Sequence, residues 1–510
     1  MRAISVFGLE RVPALTAAEA AAIDRNARED HGIADRVLME SAGRATAELV
    51  QRLFPDGVVL GLVGSGHNGG DALVALRTLQ AWGREVAWIA ASDRLPNAEL
   101  LHGHDLYRLE EASAADLLVA DVLLDGILGT GAQGAPRGRA AELIEAMNAS
   151  GKPIVALDLP SGVDATSGRV EGVAVRADVT VTFGAPKRGL LFHPAREYCG
   201  RLIGVEIGFP PLEEFAAELI TPEWAWLRLP ERAPNAHKGT SGRLLVFAGS
   251  HGMAGAAALS SLAAVRSGAG LVRIASVEDN RAILQTVVPE ATFFDANGEW
   301  PVDGVTAVLA GPGLGRDPHT RGRLDQLFEA TGDVPLLLDA DALNLLSDDR
   351  GALARIAAKR PVVITPHVRE LGRLWGRDED ELLADPVGAA RAFSDETGAV
   401  VLFKGLPSVV AAPGEPVLIN TSGSSDTAAA GMGDQLSGII AGFLAAGLDA
   451  RDAAGSGLYF SGRAADLARR GRSLTPRDVA TVLSEAFRSP GRKHPPFGLP
   501  FITFDQSPRW

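Results

Sequence analysis

Cysteine is nearly absent, with Cys199 the only one in 510 residues. That excludes an intrachain disulfide and any cysteine-built zinc site, and it fits a reducing, cytoplasmic setting. Lysine is scarce too: only Lys152, Lys187, Lys238, Lys359, Lys404 and Lys493 occur, although lysine and arginine together number 49. Where a guanidinium serves, this chain uses one, so a retained lysine points to a need for a compact ammonium. No apolar run approaches the roughly 18–20 residues of a membrane helix, and the N-terminus carries no apolar signal-peptide core. Basic charge is in deficit, with a net charge of −14, which disfavours a bulk electrostatic grip on nucleic acid or an anionic membrane. A G-x-x-x-x-G-K-[S/T] run is also missing, which excludes a P-loop kinase.

What is present is globular. Hydrophobic residues make up 46% and charged residues 22%, enough for sizeable cores and against a disordered scaffold. At about 100–200 residues per domain the length predicts two to four domains, two large ones being simplest. Glycine is abundant, at 58 residues.

Residues 16 to 53 read as helices, opened by a capping box at Thr16-Ala17-Ala18-Glu19. A rhythm then begins, in which short apolar runs end in glycine- or aspartate-rich turns and amphipathic stretches follow. Val58–Val63 runs into Gly64-Ser65-Gly66, Val122–Leu124 into Asp125-Gly126, and Ile154–Leu157 into Asp158-Leu159-Pro160-Ser161-Gly162. This predicts βαβ units, a parallel sheet buried on both faces, and ligands at the C-terminal strand ends. The rhythm stops near Phe209-Pro210-Pro211 and resumes at Leu244–Phe247, Leu271–Ile274, Ala307–Ala310, Leu336–Leu338, Val362–Ile364 and Val400–Phe403. Between the halves, Thr221-Pro222 predicts a helix N-cap, and a Pro- and charge-rich stretch, Leu229–Pro234, reads as a boundary. From residue 489 the chain reads as a loosely held tail.

Gly64-Ser65-Gly66-His67-Asn68-Gly69 matches the dinucleotide-binding G-x-G-x-x-G, and Asp93 lies about 20 residues on, where a ribose-binding acid belongs. A nicotinamide dehydrogenase is therefore one reading. Gly129-Thr130-Gly131-Ala132-Gln133-Gly134 matches as well, so neither match decides alone. Asn68, Asp71, Asp125, Asp158 and Ser161 flank these turns and bring oxygen donors suited to a hard cation to one crevice. Each of them alone reads equally as a helix cap.

In order along the chain, Leu38–Gly43, Gly64–Asp71, Asp125–Gly131, Asp158–Gly162 and Ala177–Phe183 resemble the NAD(P)H-hydrate epimerase domain over residues 13–212. The resemblance implies a Rossmann-like fold and interconversion of the R and S epimers of hydrated NADH and NADPH (NADHX and NADPHX). It implies a potassium ion (K+) on Asn68, Asp125 and Ser161. It also implies substrate contacts from His67, Asn68, Gly69, Gly70, Asp71, Gly129, Thr130, Gly131, Ala132, Gln133, Gly134, Ala135 and Asp158. Epimerisation needs a proton shuttle, and Asp158 is assigned that role. Ser41 and His67 stand where the family usually has Asn. For His67 this changes contact geometry rather than activity. Lys187 is left with two readings, a ligand of substrate phosphate or the end of the sheet.

In the second half, Gly431-Met432-Gly433-Asp434 precedes an apolar helical run, Leu436–Leu444. Loop N–H groups at a helix N-terminus stabilise anionic charge, and an aspartate there can take a hydroxyl proton. Lys404-Gly405, Thr365–Glu370, Gly311–Gly315 and Asp339–Asn344 all follow apolar strands. With His237–Arg243, Gly249-Ser250, Gly255-Ala256 and Ser267–Val272 they resemble the ADP-dependent NAD(P)H-hydrate dehydratase domain, a relative of ribokinase-like kinases, over residues 222–490. By resemblance, Ala256, Gly313, His367 and Asp434 contact the S-hydrate, and Lys404, Gly405, Leu406, Pro407, Ser408 and Gly433 hold ADP. The family phosphorylates the C6 hydroxyl, with Asp434 as base and Mg2+ bridging the phosphates, and phosphate then leaves. Met432 and Ser408 stand where Thr is usual.

The expected architecture is α/β throughout, two three-layer αβα domains, Rossmann-like then ribokinase-like. The expected protein is a cytoplasmic homo-oligomer that binds neither nucleic acid nor membrane. Two other readings stay open. One is a small-molecule kinase fused to a nucleotide sensor, and the other is a non-catalytic NAD-binding module in the first half.

Overall fold

The computed structural model describes all residues except 1–10, 93, 95–97, 102, 110–116, 213, 231–233, 236, 240, 350, 489–500 and 504–510. Asp93 and most of the expected tail therefore lie outside the described residues. The chain forms two compact units, Met1–Ala216 with Arg492–Trp510, and Ala217–Gly491.

In the first unit, β1 (Val12–Pro13) precedes the helices Ala17–Glu29 and Asp35–Leu53. The first helix starts as expected. The Thr16 side chain accepts from the Glu19 N–H, and the Glu19 carboxylate takes the Thr16 N–H at 2.8 Å. The sheet that follows comprises β2 (Val59–Val63), β3 (Val86–Ala90), β4 (Tyr107–Leu109), β5 (Val122–Gly126), β6 (Ile154–Leu157), β7 (Val179–Phe183) and β8 (Arg201–Val205). An eighth strand, β19 (Phe501–Thr503), comes from the far end of the chain. The spatial order is β19-β8-β7-β6-β5-β2-β3-β4. All pairs are parallel except β19 with β8. Strands β2, β5, β6 and β7 are buried along their whole length, because a parallel sheet is covered on both faces. One apolar layer joins the strands to the helices Asp35–Leu53 and His67–Ala81, and another joins them to Arg139–Ala149. The chain winds outward from β2 in one direction, then returns to β5 on its other side. Its topological switch point therefore lies between the C-terminal ends of β2 and β5.

The second unit repeats the scheme with β9 (Ala217–Ile220), β10 (Arg243–Phe247), β11 (Leu271–Ser276), β12 (Thr292–Asp295), β13 (Ala307–Ala310), β14 (Leu336–Leu338), β15 (Val362–Ile364), β16 (Val400–Phe403), β17 (Val409–Ala411) and β18 (Val417–Asn420). Their order is β9-β18-β17-β16-β15-β14-β13-β10-β11-β12, with antiparallel pairing only around β17. The switch point lies between β10 and β13. Trp224, Phe443, Tyr459 and Phe460 fill the main core beneath the helices Met432–Ala445 and Ala450–Ala468. Thr221 caps the helix Pro222–Trp226 as expected, accepting from the Trp224 N–H at 3.0 Å. Among the described residues, no helix is long and apolar enough to cross a membrane.

Candidate active sites

At the first switch point β2 runs into Gly64. A Cβ there would lie 1.9 Å from the Ile127 carbonyl oxygen, so only glycine lets the two strand ends meet. Gly66 faces open space and caps the helix His67–Ala81. Its first turn carries Asn68 and Asp71, both buried.

Asp125, fully buried at the end of β5, accepts from the Ser161 hydroxyl at 2.6 Å, the Ser161 N–H at 2.8 Å and the Ile127 N–H at 3.2 Å. Burial still pushes its carboxyl up to about 6 against those hydrogen bonds. The Asn68 amide donates to the Leu128 carbonyl at 2.8 Å, which leaves Asn68 Oδ1 buried with no hydrogen-bond partner. The three residues expected to ligate potassium thus come together, with the Leu128 carbonyl beside them. An orphaned amide oxygen, a carboxylate and a hydroxyl form a donor set that fits a hard cation.

Asp158 follows β6 with φ +65°, a left-handed backbone that costs a non-glycine residue about 1 kcal/mol or more. Its Oδ1 accepts from the Lys187 ammonium and from the Phe183 N–H at 3.2 Å. Lys187 is 4% exposed and forms a buried ion pair with Asp158. Asp71 and, from the first helix, Asp24 feel the same charges. Burial raises both carboxyls, with Asp158 adding to the rise and Lys187 opposing it. His67 stands at the helix start with its side chain 72% exposed. The Gly129–Ala135 loop is half-buried to exposed and lies beside a cleft of about 220 Å3, lined among others by Leu128, Gly129, Ala132, Gly134, Asp164 and Arg169.

At the second switch point the Gly249 N–H donates to the Pro312 carbonyl at 2.9 Å, and the Ser250 N–H to the Gly313 carbonyl at 2.6 Å. A Cβ on Gly313 would meet Ala256 Cβ at 2.9 Å, so these two expected substrate contacts are neighbours. Lys404, at the end of β16, donates to Asp339 Oδ1 at 2.9 Å and lies 3.9 Å from Glu370 Oε2. Burial opposes its charge, but Asp339, Glu370 and Asp434 outweigh that and hold its pKa above the ordinary lysine value. Ser437 donates to the other Asp339 oxygen at 2.6 Å. Asp434 sits in the first turn of the helix Met432–Ala445, which opens at Gly431 with φ +83°. Burial pushes the Asp434 carboxyl up to about 6, with Asp339 adding to the rise and Lys404 opposing it. A Cβ on Gly433 would lie 3.6 Å from Lys404 Nζ, so the ammonium sits beneath the glycine turn. His367 caps the helix Val368–Trp375 through Nδ1, with Glu370 completing the capping box, and burial lowers its pKa. Ser408 closes its own loop on Gly405, accepting the Gly405 N–H at 3.1 Å.

The roles of Asp339, Glu370 and Ser437 were not assigned from sequence. Asp339 ends an apolar strand and Glu370 follows His367 at capping-box spacing, so both had a signal. Ser437, inside an apolar helix, had none.

A family model described as NAD(P)H-hydrate dehydratase matches residues 244–487, and one described as YjeF-related protein N-terminus matches residues 35–189. A bifunctional NAD(P)H-hydrate repair enzyme of Moorella thermoacetica is 37% identical over 495 residues, covering 90% of this chain and 93% of the relative. The chain belongs to the bifunctional NAD(P)H-hydrate repair enzymes. Another member, from Escherichia coli, is 35% identical over 481 residues, 90% of this chain and 91% of the relative. A solved structure of an ADP/ATP-dependent NAD(P)H-hydrate dehydratase from Bacillus subtilis, co-crystallized with ATP/Mg2+, is 30% identical. It covers 53% of this chain and 97% of its own, at a TM-score of 0.47. In this repair enzyme the epimerase half therefore carries the Asn68–Asp125–Ser161 cluster, and the dehydratase half carries Asp434 over the Lys404–Asp339 pair.

Proposed function

We infer that the chain repairs hydrated NADH and NADPH in two steps. The first unit interconverts the R and S epimers, and the second dehydrates the S form at the expense of ADP, releasing AMP and phosphate. Family membership over nine-tenths of the chain carries this reading. The tandem is chemically coherent, since a stereospecific dehydratase alone would strand the R epimer.

In the dehydratase, Asp434 takes the proton from the C6 hydroxyl as that oxygen attacks the terminal phosphorus of ADP. Its raised pKa makes it a better base that is still mostly ionised at neutral pH. The N–H groups of the Gly431–Gly433 turn and the Lys404 ammonium stabilise the transferring phosphoryl group. Lys404 does so while locked to Asp339, so its position is preset rather than assembled on binding. Ala256, Gly313 and His367 face the hydrate, and Gly405–Ser408 hold the nucleotide. Magnesium would neutralise charge on the nucleotide phosphates. Among the described residues no group of three or more His, Cys, Asp or Glu side chains is disposed to hold a metal.

In the epimerase, Asp158 is the proton shuttle, and His67–Asp71 and Gly129–Ala135 bind the hydrate. Potassium on Asn68, Asp125 and Ser161 would draw the substrate-binding loops together by electrostatic attraction. The single buried thiol of Cys199 fits a cytoplasmic setting.

The deciding experiment supplies separated R and S epimers of hydrated NADH with ADP and follows the return of NADH absorbance. Recovery from both epimers is expected. Recovery from neither would sink the reading. Phosphorylation of a simple alcohol by ATP, without hydrate repair, would mark a small-molecule kinase instead.

A further inference from the structure

The geometry points to Lys187 as a positioning residue of the epimerase, one that clamps Asp158 so that a single carboxylate oxygen is left for proton transfer. The inference rests on the assignment of Asp158 as shuttle.

An ammonium has three N–H donors, and Lys187 has three acceptors around it. They are Asp158 Oδ1, the Phe183 carbonyl at 2.9 Å and Thr182 Oγ1 at 3.4 Å. The side chain that they surround is almost wholly buried. No donor is left to reach a substrate phosphate. The backbone of Lys187 is gripped as firmly, since Leu15 donates to the Pro186 carbonyl at 2.9 Å and accepts from the Arg188 N–H at 2.6 Å.

The clamp acts on Asp158 from one side. Oδ1 takes both Lys187 and the Phe183 N–H, and among the described residues no hydrogen bond reaches Oδ2. The Asp158 N–H is tied to the Val181 carbonyl at 2.7 Å, holding the residue in its left-handed backbone. Strained residues persist where their surroundings over-determine them, and such positions cluster at reacting centres. A fixed Oδ2 on a rigid backbone is the arrangement a reversible proton shuttle needs, because it must deliver to and collect from one point. Burial, with the nearby Asp158 charge adding to it, raises the Asp71 carboxyl above the ordinary aspartate value. A planar guanidinium could not fit three acceptors set around one atom. This chain uses arginine almost everywhere, yet keeps lysine here.

The test uses the full-length chain with the R epimer as substrate and S-epimer dehydration by the same chain as an internal reference. Lys187→Met is expected to lower epimerase kcat about 100-fold, the usual cost of a misplaced reacting group, with KM little changed and dehydration unaffected. A raised KM at intact kcat would mean that Lys187 binds substrate, and would overturn the inference. Should Lys187→Met fold poorly, Lys187→Arg carries the test, because it keeps the charge. The expected result is a folded enzyme with reduced kcat and unchanged KM, whereas wild-type kcat would overturn the inference. Asp158→Asn separates the two levels. Full activity there removes the shuttle assignment itself. An inactive Asp158→Asn beside a fully active Lys187→Arg removes only the role of Lys187.

Discussion

Two aspartates lie beside two lysines, one buried and one half-buried, in different surroundings. Lys187 is bonded directly to Asp158, whereas Lys404 is bonded to Asp339 and reaches Asp434 only through space. Asp434 is therefore free to accept a proton. We expect Asp434→Asn to lower dehydratase kcat by about 10³-fold, within the usual range for a lost general base, while epimerisation of the R form continues. The raised pKa gives the pH dependence a sign. Above about 6 the carboxylate is ionised and competent; below it the carboxyl holds its proton, and the dehydratase rate falls as pH drops. Asp339→Asn removes a neighbouring negative charge and leaves Lys404 less neutralised. Both changes lower the Asp434 pKa, so the acid limb of the pH–rate profile moves to lower pH. An acid limb that stays in place would show that Asp339 does not tune Asp434. At this scale the sequence was informative where a residue closed a strand, as Asp125 and Asp158 do. It was silent where chemistry depends on a partner far along the chain. The pairing of Lys187 with Asp158 spans 29 positions and that of Lys404 with Asp339 spans 65, and no local pattern encodes either.

The elements themselves were the most legible part. Strands buried on both faces read as uninterrupted apolar runs, and β2, β5, β6, β10, β13, β14, β15 and β16 all fall where such runs were expected. The antiparallel turn-back through β17 and β18 was not read. Those strands are as apolar as their parallel neighbours, so direction leaves no trace in their composition. The glycine motif was legible as a motif but not in its parts. Gly64 is needed because a neighbouring carbonyl occupies the space of its Cβ, whereas Gly66 faces open space. Gly64→Ala is expected to cost the first unit about 3 kcal/mol, the upper end for overpacking against backbone. Gly66→Ala should cost little stability and act instead on substrate KM. Denaturant unfolding and epimerase kinetics on both variants check this, and equal destabilisation of the two would contradict it.

At the scale of the whole molecule, the residues proposed for the epimerase run from Asp24 to Lys187 and those proposed for the dehydratase from Ser250 to Ser437, each set within one unit. A mixture of Asp158→Asn and Asp434→Asn chains should therefore repair the R epimer that each handles poorly alone, with the S form passing through solution. Chain order and spatial order nonetheless part company at β19. The expected tail supplies β19, which pairs antiparallel with β8 through Phe501 opposite Val205, Ile502 opposite Gly204 and Thr503 opposite Ile203. Phe501–Thr503 thus cover the outer edge of β8. Deleting Arg492–Trp510 uncovers the outer edge of β8 and removes a short ladder of hydrogen bonds, each worth about 1 kcal/mol net. The first unit should lose about 2 kcal/mol and its epimerase activity should fail at lower temperature, while dehydration of the S epimer keeps its wild-type thermal profile. Parallel loss of both activities would instead mean that the segment supports the second unit as well.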